Sequence, residues 1–211
     1  MWLALLLAAD WPQPVEQLDQ APGEGTLVLA IHGLGDKPSS FQRLFVGQPL
    51  DVLLPAGPAR HNLGYSWFDV RVKSGEVEKL SSGIAHSAGM LAKLLEAEAP
   101  DGDAIITGFS QGGYMSLAVA TMYPERVKKA VSVGGGLPEP LWPQDIPASG
   151  GPELVILHGE ADKVVPVGPT LQAAEHLKGL GWQVELHTYP GVEHSISTEM
   201  REELYAELAE D

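Results

Sequence analysis

Apolar positions along the chain fall into short blocks separated by glycine and proline. Residues 27–32 (LVLAIH) form an apolar run that stops at Gly33 and reads as a buried strand. A loop through Gly33, Leu34, Gly35 and Asp36 follows, and Pro38-Ser39-Ser40 then provides a helix start, with a serine as N-cap and the helix running from about Phe41. Residues 51–54 (DVLL) read as a second strand between Pro49 and Pro55, and residues 55–69 read as loop. Ile84, Met90, Leu91, Leu94 and Leu95 make a helical stripe over residues 82–97, stopped before Pro100. A short strand at 104–107 leads to residues 112–123 (GGYMSLAVATMY), which are apolar on nearly every side, as expected for a buried helix that Pro124 ends. Strands are expected again at Lys129–Val133, 154–158 and Val184–Tyr189, with helices at 170–178 and 198–208. Residues 134–151 make a Gly/Pro-rich loop, long enough to be a functional candidate.

Strands thus alternate with helices, which predicts an α/β architecture: a mostly parallel central sheet with helices on both faces. Ligands in such sheets sit beyond the carboxyl ends of the strands, so each loop just after a strand is a candidate site. No linker divides the chain, and residues 1–211 are expected to form one domain. The apolar run at 2–9 (WLALLLAA) is too short to span a bilayer, so no integral membrane span is expected. It reads equally as the h-region of a secretory signal at 1–9, without a preceding Lys or Arg, or as a first strand or apolar arm. Cytoplasmic and secreted or periplasmic locations therefore both stay open.

Charge and composition narrow the chemistry. Lys plus Arg total 13 against 28 Asp plus Glu, a formal charge of −15. That surface repels nucleic acid and anionic headgroups at long range, so nucleic acid is not an expected partner. The absence of cysteine excludes disulfides, thiolate metal sites and a Cys nucleophile. No two histidines are spaced for a helical or loop metal site, and no metal is expected.

Gly108-Phe109-Ser110-Gln111-Gly112 fits G-x-S-x-G between a predicted strand and a predicted helix. In that context the serine sits on a sharp turn with its Oγ exposed, and bulk two residues before or after would collide. A serine hydroxyl needs a histidine to take its proton and a carboxylate to orient that histidine, in the chain order Ser, acid, His. Of the seven histidines, His194 alone lies in a loop after the last strand. Asp162, in the loop after 154–158, is the candidate acid, with Glu160 its nearest competitor. The tetrahedral intermediate needs two N–H donors, expected from the backbone of Gln111 and of Leu34.

Five ordered blocks resemble the phospholipase/carboxylesterase family, which includes the acyl-protein thioesterases: HGLGD at 32–36, SWFD at 66–69, GFSQGG at 108–113, HGEADKVVP at 158–166 and GVEHSIS at 191–197. The resemblance spans roughly residue 27 to the C-terminus. It implies the α/β-hydrolase fold with minimal or no lid, and no cofactor. Residues 1–25 and 55–65 depart from the family pattern, and the second stretch lies near the acyl pocket in the family.

Trp67, Leu141 and Trp142, with Leu34, are candidate pocket walls; for Phe68 core packing is the preferred reading. The expected activity is hydrolysis of small-molecule esters of short to medium acyl chains. The same chemistry serves an acyl-protein thioesterase or lysophospholipase, and the sequence does not separate them. A non-catalytic binding protein on the same fold is disfavoured by the presence of all three triad residues. Monomer and homodimer both stay open.

Overall fold

The structure, a computed structural model, describes residues 11–19, 26–69 and 75–209. Its elements are β1 (Val15–Asp19), β2 (Leu27–Ile31), the single turn α1 (Pro38–Phe41), β3 (Asp51–Pro55), β4 (Ala59–His61), β5 (Gly64–Ser66), α2 (Val77–Glu98), β6 (Ile105–Phe109), α3 (Gln111–Met122), β7 (Lys129–Val133), β8 (Glu153–Gly159), α4 (Val167–Gly179), β9 (Val184–Tyr189) and α5 (Thr198–Ala209). Seven strands form one sheet in the order β1-β3-β2-β6-β7-β8-β9. The edge strand β1 runs antiparallel to β3, and every other pair in this sheet is parallel. This is the mostly parallel sheet that the alternating pattern predicts, and the α/β-hydrolase type that the family resemblance implies.

Successive strand residues point to opposite faces, so each buried strand feeds two cores. Leu29, Ile31, Ile106, Ala130, Leu154 and Ile156 pack with α2, α3 and α4 on one face. Val28, Ala30, Ile105, Val131, Val155 and Leu157 pack on the other with Phe41 of α1 and with Met200, Leu204 and Leu208 of α5. Helix α3 is buried from Gln111 to Thr121, as its all-round apolar sequence requires. The register aligns the strand ends: Ile31 pairs with Gly108, Phe109 with Val133, Val133 with Leu157 and Gly159 with Tyr189. The loops after β2, β6, β8 and β9 consequently emerge along one edge.

Three expectations change. The helix expected from about Phe41 instead begins at Pro38, after Lys37 rather than a serine cap, and ends at Phe41. Proline at the first helical position sets φ for the turn, so the start moves upstream. The region read as loop at 55–69 contains the hairpin β4–β5, turning at Asn62 with φ 51°. Its strands are three residues each, too short to carry a visible alternation. Strand β1 is not visible in the sequence, because Val-Glu-Gln-Leu-Asp offers only two apolar positions. The apolar run at 2–9 lies outside the described residues, and no helix among the described residues is long and apolar enough to cross a membrane.

Candidate active site

Ser110 sits between β6 and α3 with φ 56° and ψ −114°, a backbone conformation that non-glycine residues rarely adopt. Its flanking glycines are required by contact. A Cβ on Gly108 would lie 2.5 Å from the Gly112 carbonyl carbon, and one on Gly112 would lie 1.9 Å from the Ile31 oxygen. The turn is pinned at Ser110, whose N–H donates to Val133 O at 2.9 Å. Strain at a position fixed from several sides is the condition for a projecting nucleophile.

His194, Ser110 and Asp162 lie in one hydrogen-bonded line. His194 Nδ1 is 2.6 Å from Asp162 Oδ2, and His194 Nε2 is 2.9 Å from Ser110 Oγ. A carboxylate only accepts, so Nδ1 carries the proton and Nε2 is left to accept from the serine hydroxyl. Asp162 is 6% exposed. Its other oxygen accepts the N–H groups of Val164 and Val165, each at 2.8 Å. It therefore shapes its own loop and holds the histidine at once. The acid and histidine loops are tied together by Ala161 N–H on Val192 O and Glu160 N–H on Tyr189 O, each at 3.0 Å. Glu160 turns outward, accepting from Thr188 at 2.8 Å, and Glu193 lies near Lys163 on the surface.

Leu34 stands in the loop after β2, 46% exposed. The loop is held by the hairpin: Gly35 N–H donates to Tyr65 O at 2.8 Å, and Tyr65 N–H donates to Asp36 O at 2.9 Å. It also touches the elbow, since a Cβ on Gly33 would lie 3.6 Å from Ser110 Cβ. Gln111 opens α3, which directs the positive end of the helix dipole at the serine.

The pocket residues divide. Trp142 lines a cleft of about 260 Å³ with Tyr114, Leu137, Leu80 and Thr170, one helical turn along α3 from Ser110. Its ring stacks on His176 at 4.8 Å, and its Nε1–H donates to Leu137 O at 2.8 Å. Leu141 is half-buried against the helical core instead of on that wall. Trp67, expected on a pocket wall, is 2% exposed and sits in the core, where Phe68 also packs. Its Nε1–H donates to His32 O at 3.0 Å, so its polar edge is used inside the protein.

Four further residues support the site. Phe109 tilts its ring against His194 at 4.9 Å. The Gln111 carboxamide accepts from Trp67 N–H at 2.9 Å and donates to Phe68 O at 2.8 Å, tying the elbow to the SWFD segment. His158 donates to Val165 O at 2.9 Å beneath the acid loop, and burial lowers its pKa. The His32 imidazole contacts Gly33 O and Gly57 N–H. The motif around each of these residues is visible in sequence, but their side-chain partners lie 7 to 85 residues away or on the adjacent peptide.

A mostly parallel sheet covered on both faces, with a serine on a strained strand–helix turn facing a histidine and a carboxylate, defines a serine hydrolase of the α/β-hydrolase fold. The family described as Phospholipase/Carboxylesterase matches residues 17–210. The chain is 30% identical over 209 residues to acyl-protein thioesterase 1 of Gibberella zeae, covering 86% of this chain and 88% of that protein. It is 29% identical over 214 residues to a probable carboxylesterase of Oryza sativa subsp. japonica, covering 92% and 79%. Among solved structures it resembles acyl-protein thioesterase 2 of Zea mays, with a TM-score of 0.76 and 25% identity, covering 93% of this chain and 97% of that one. The chain belongs to the phospholipase/carboxylesterase family and is a carboxylic ester hydrolase of the serine type.

Proposed function

We propose that the protein is a carboxylesterase acting on short- to medium-chain acyl esters, with Ser110 as nucleophile, His194 as base and Asp162 as the group that orients it. The observation that carries this reading is the Ser110–His194–Asp162 line at 2.9 and 2.6 Å. Ser110 Oγ attacks the ester carbonyl carbon as its proton passes to His194 Nε2. The carbonyl oxygen becomes an oxyanion between the N–H groups of Leu34 and Gln111. Collapse breaks the bond to the alcohol, which takes the proton from His194 and leaves an acyl-serine. Water then repeats the sequence, giving up its proton to His194, and frees the acid and Ser110.

The cleft of about 260 Å³ beside Tyr114 is the candidate acyl site, apolar at Leu80, Leu137 and Trp142; its walls do not include Ser110 or His194, so the acyl range is set by the substrate series below. A second reading, acyl-protein thioesterase or lysophospholipase, is favoured by the 30% identity to a protein of the first name. A series of p-nitrophenyl esters from acetate to palmitate, with S-acyl counterparts and Ser110→Ala as control, separates the two. Highest kcat/KM between butyrate and octanoate supports the carboxylesterase. A maximum at palmitoyl thioester replaces it with the second reading.

A further inference from the structure

We infer that the His32 side chain is a positioning residue for the oxyanion hole, fixing the peptide that carries the Leu34 N–H, one of the two donors proposed above. The inference rests on the serine-hydrolase reading above and adds a residue that works through the backbone.

The partners of the two ring nitrogens decide which one carries the proton. Gly57 N–H lies 3.0 Å from His32 Nε2, and a backbone N–H only donates. Nε2 is therefore the accepting nitrogen, and in the neutral ring the proton sits on Nδ1. Nδ1 lies 2.7 Å from Gly33 O, so Nδ1–H donates to that carbonyl. The Gly33 carbonyl also accepts Asp36 N–H at 3.3 Å.

The Gly33 carbonyl and the Leu34 N–H belong to one planar trans peptide and point in opposite directions. Holding the carbonyl on the His32 side therefore aims the N–H the other way. Gly33 itself lies against the elbow, where an added Cβ would meet Phe109 O at 3.4 Å and Ser110 Cβ at 3.6 Å. If this peptide turned over, a carbonyl oxygen would face the developing oxyanion, and attraction would become repulsion.

The ring is held from all sides. Trp67 Nε1–H takes the His32 carbonyl at 3.0 Å, and the Trp67 ring lies 5.4 Å from the imidazole. Gly57 reaches Nε2 only because it lacks a side chain: a Cβ there would lie 2.6 Å from Ser66 O. Burial lowers the His32 pKa, which keeps the ring neutral and Nε2 free to accept.

The test compares His32→Gln and His32→Asn. Glutamine carries its carboxamide to the Nε2 position and leaves the Gly33 carbonyl without its side-chain donor. Asparagine keeps an N–H near Nδ1. His32→Gln is expected to lower kcat on p-nitrophenyl butyrate on the order of a hundredfold, the usual effect of a lost oxyanion donor, with KM within about threefold. His32→Asn is expected to recover at least about tenfold of that loss at equal or lower thermal stability, whereas a purely structural role makes kcat follow stability in both. Equal kcat in the two variants, or His32→Gln at wild-type kcat, overturns the inference. Nitrogen-15 NMR of the wild-type histidines supplies a readout independent of any variant's folding: a proton on Nδ1 of His32 is expected, and one on Nε2 overturns it. Absence of Ser110-dependent hydrolysis in wild type would instead remove the functional reading, a result distinct from either tautomer.

Discussion

Asp162→Asn is the substitution whose effect the geometry specifies most fully. Asp162 Oδ1 accepts two backbone N–H groups at 2.8 Å, and these donors cannot reverse. The asparagine oxygen therefore takes that place, and its NH2 replaces Oδ2 at 2.6 Å from His194 Nδ1. Nδ1 must then accept, the ring proton moves to Nε2, and Ser110 faces a donor where its base should be. Restoring the right tautomer by flipping the amide would set NH2 against both backbone N–H groups, each unmet donor costing roughly 1–3 kcal/mol. The expected loss in kcat is on the order of 10⁴-fold, about 5.4 kcal/mol at ~1.36 kcal/mol per tenfold. Thermal stability should change little, because the amide is isosteric and the loop keeps both its bonds. The assay is steady-state hydrolysis of p-nitrophenyl butyrate at neutral pH beside a melting curve. A loss under about tenfold would refute the reasoning, since the tautomer would then not be governed by Asp162.

Three other outcomes are expected. Leu34→Pro removes one oxyanion N–H and should lower kcat on the order of a hundredfold with KM nearly constant; an unchanged kcat would reject Leu34 as a donor. Lys129 is buried between Glu207 at 2.8 Å and Glu153 at 3.2 Å, so Lys129→Ala should cost about 3–5 kcal/mol in denaturant unfolding while leaving kcat/KM of the folded protein unchanged. Burial lowers the pKa of both His32 and His158 from the ordinary 6.5. Below about pH 6.5 the unfolded chain binds protons that the folded chain does not, so stability is present above that value and falls as pH drops, by up to about 2.7 kcal/mol per pH unit for two groups. Melting temperatures between pH 7 and 5 check this, and a flat profile contradicts it.

The contrast between what sequence and structure each reveal follows from range. The buried strand Lys129–Val133 and the half-buried edge strand Val184–Tyr189 are legible with their limits because an apolar run in the first and alternation closed by Pro190-Gly191 in the second are local signals. Ser110, Asp162 and His194 are legible because fold order and loop position constrain them, although they come together over 32 and 84 residues of separation. The hairpin β4–β5 is not legible, because its role comes from Gly35, Asp36 and Tyr65 exchanging backbone bonds with the loop after β2. Trp67 misleads for a related reason. An aromatic beside a predicted loop suggests a pocket wall, but the indole N–H finds His32 O inside, which lets the ring be buried completely.

The central claim is that Ser110 is an activated nucleophile, and fluorophosphonate labelling followed by intact mass tests it most directly. The wild-type protein should gain a single adduct, located on Ser110 by peptide mapping, and Ser110→Ala should gain none. A folded wild-type protein that stays unmodified, or an adduct that persists in Ser110→Ala, would contradict the account.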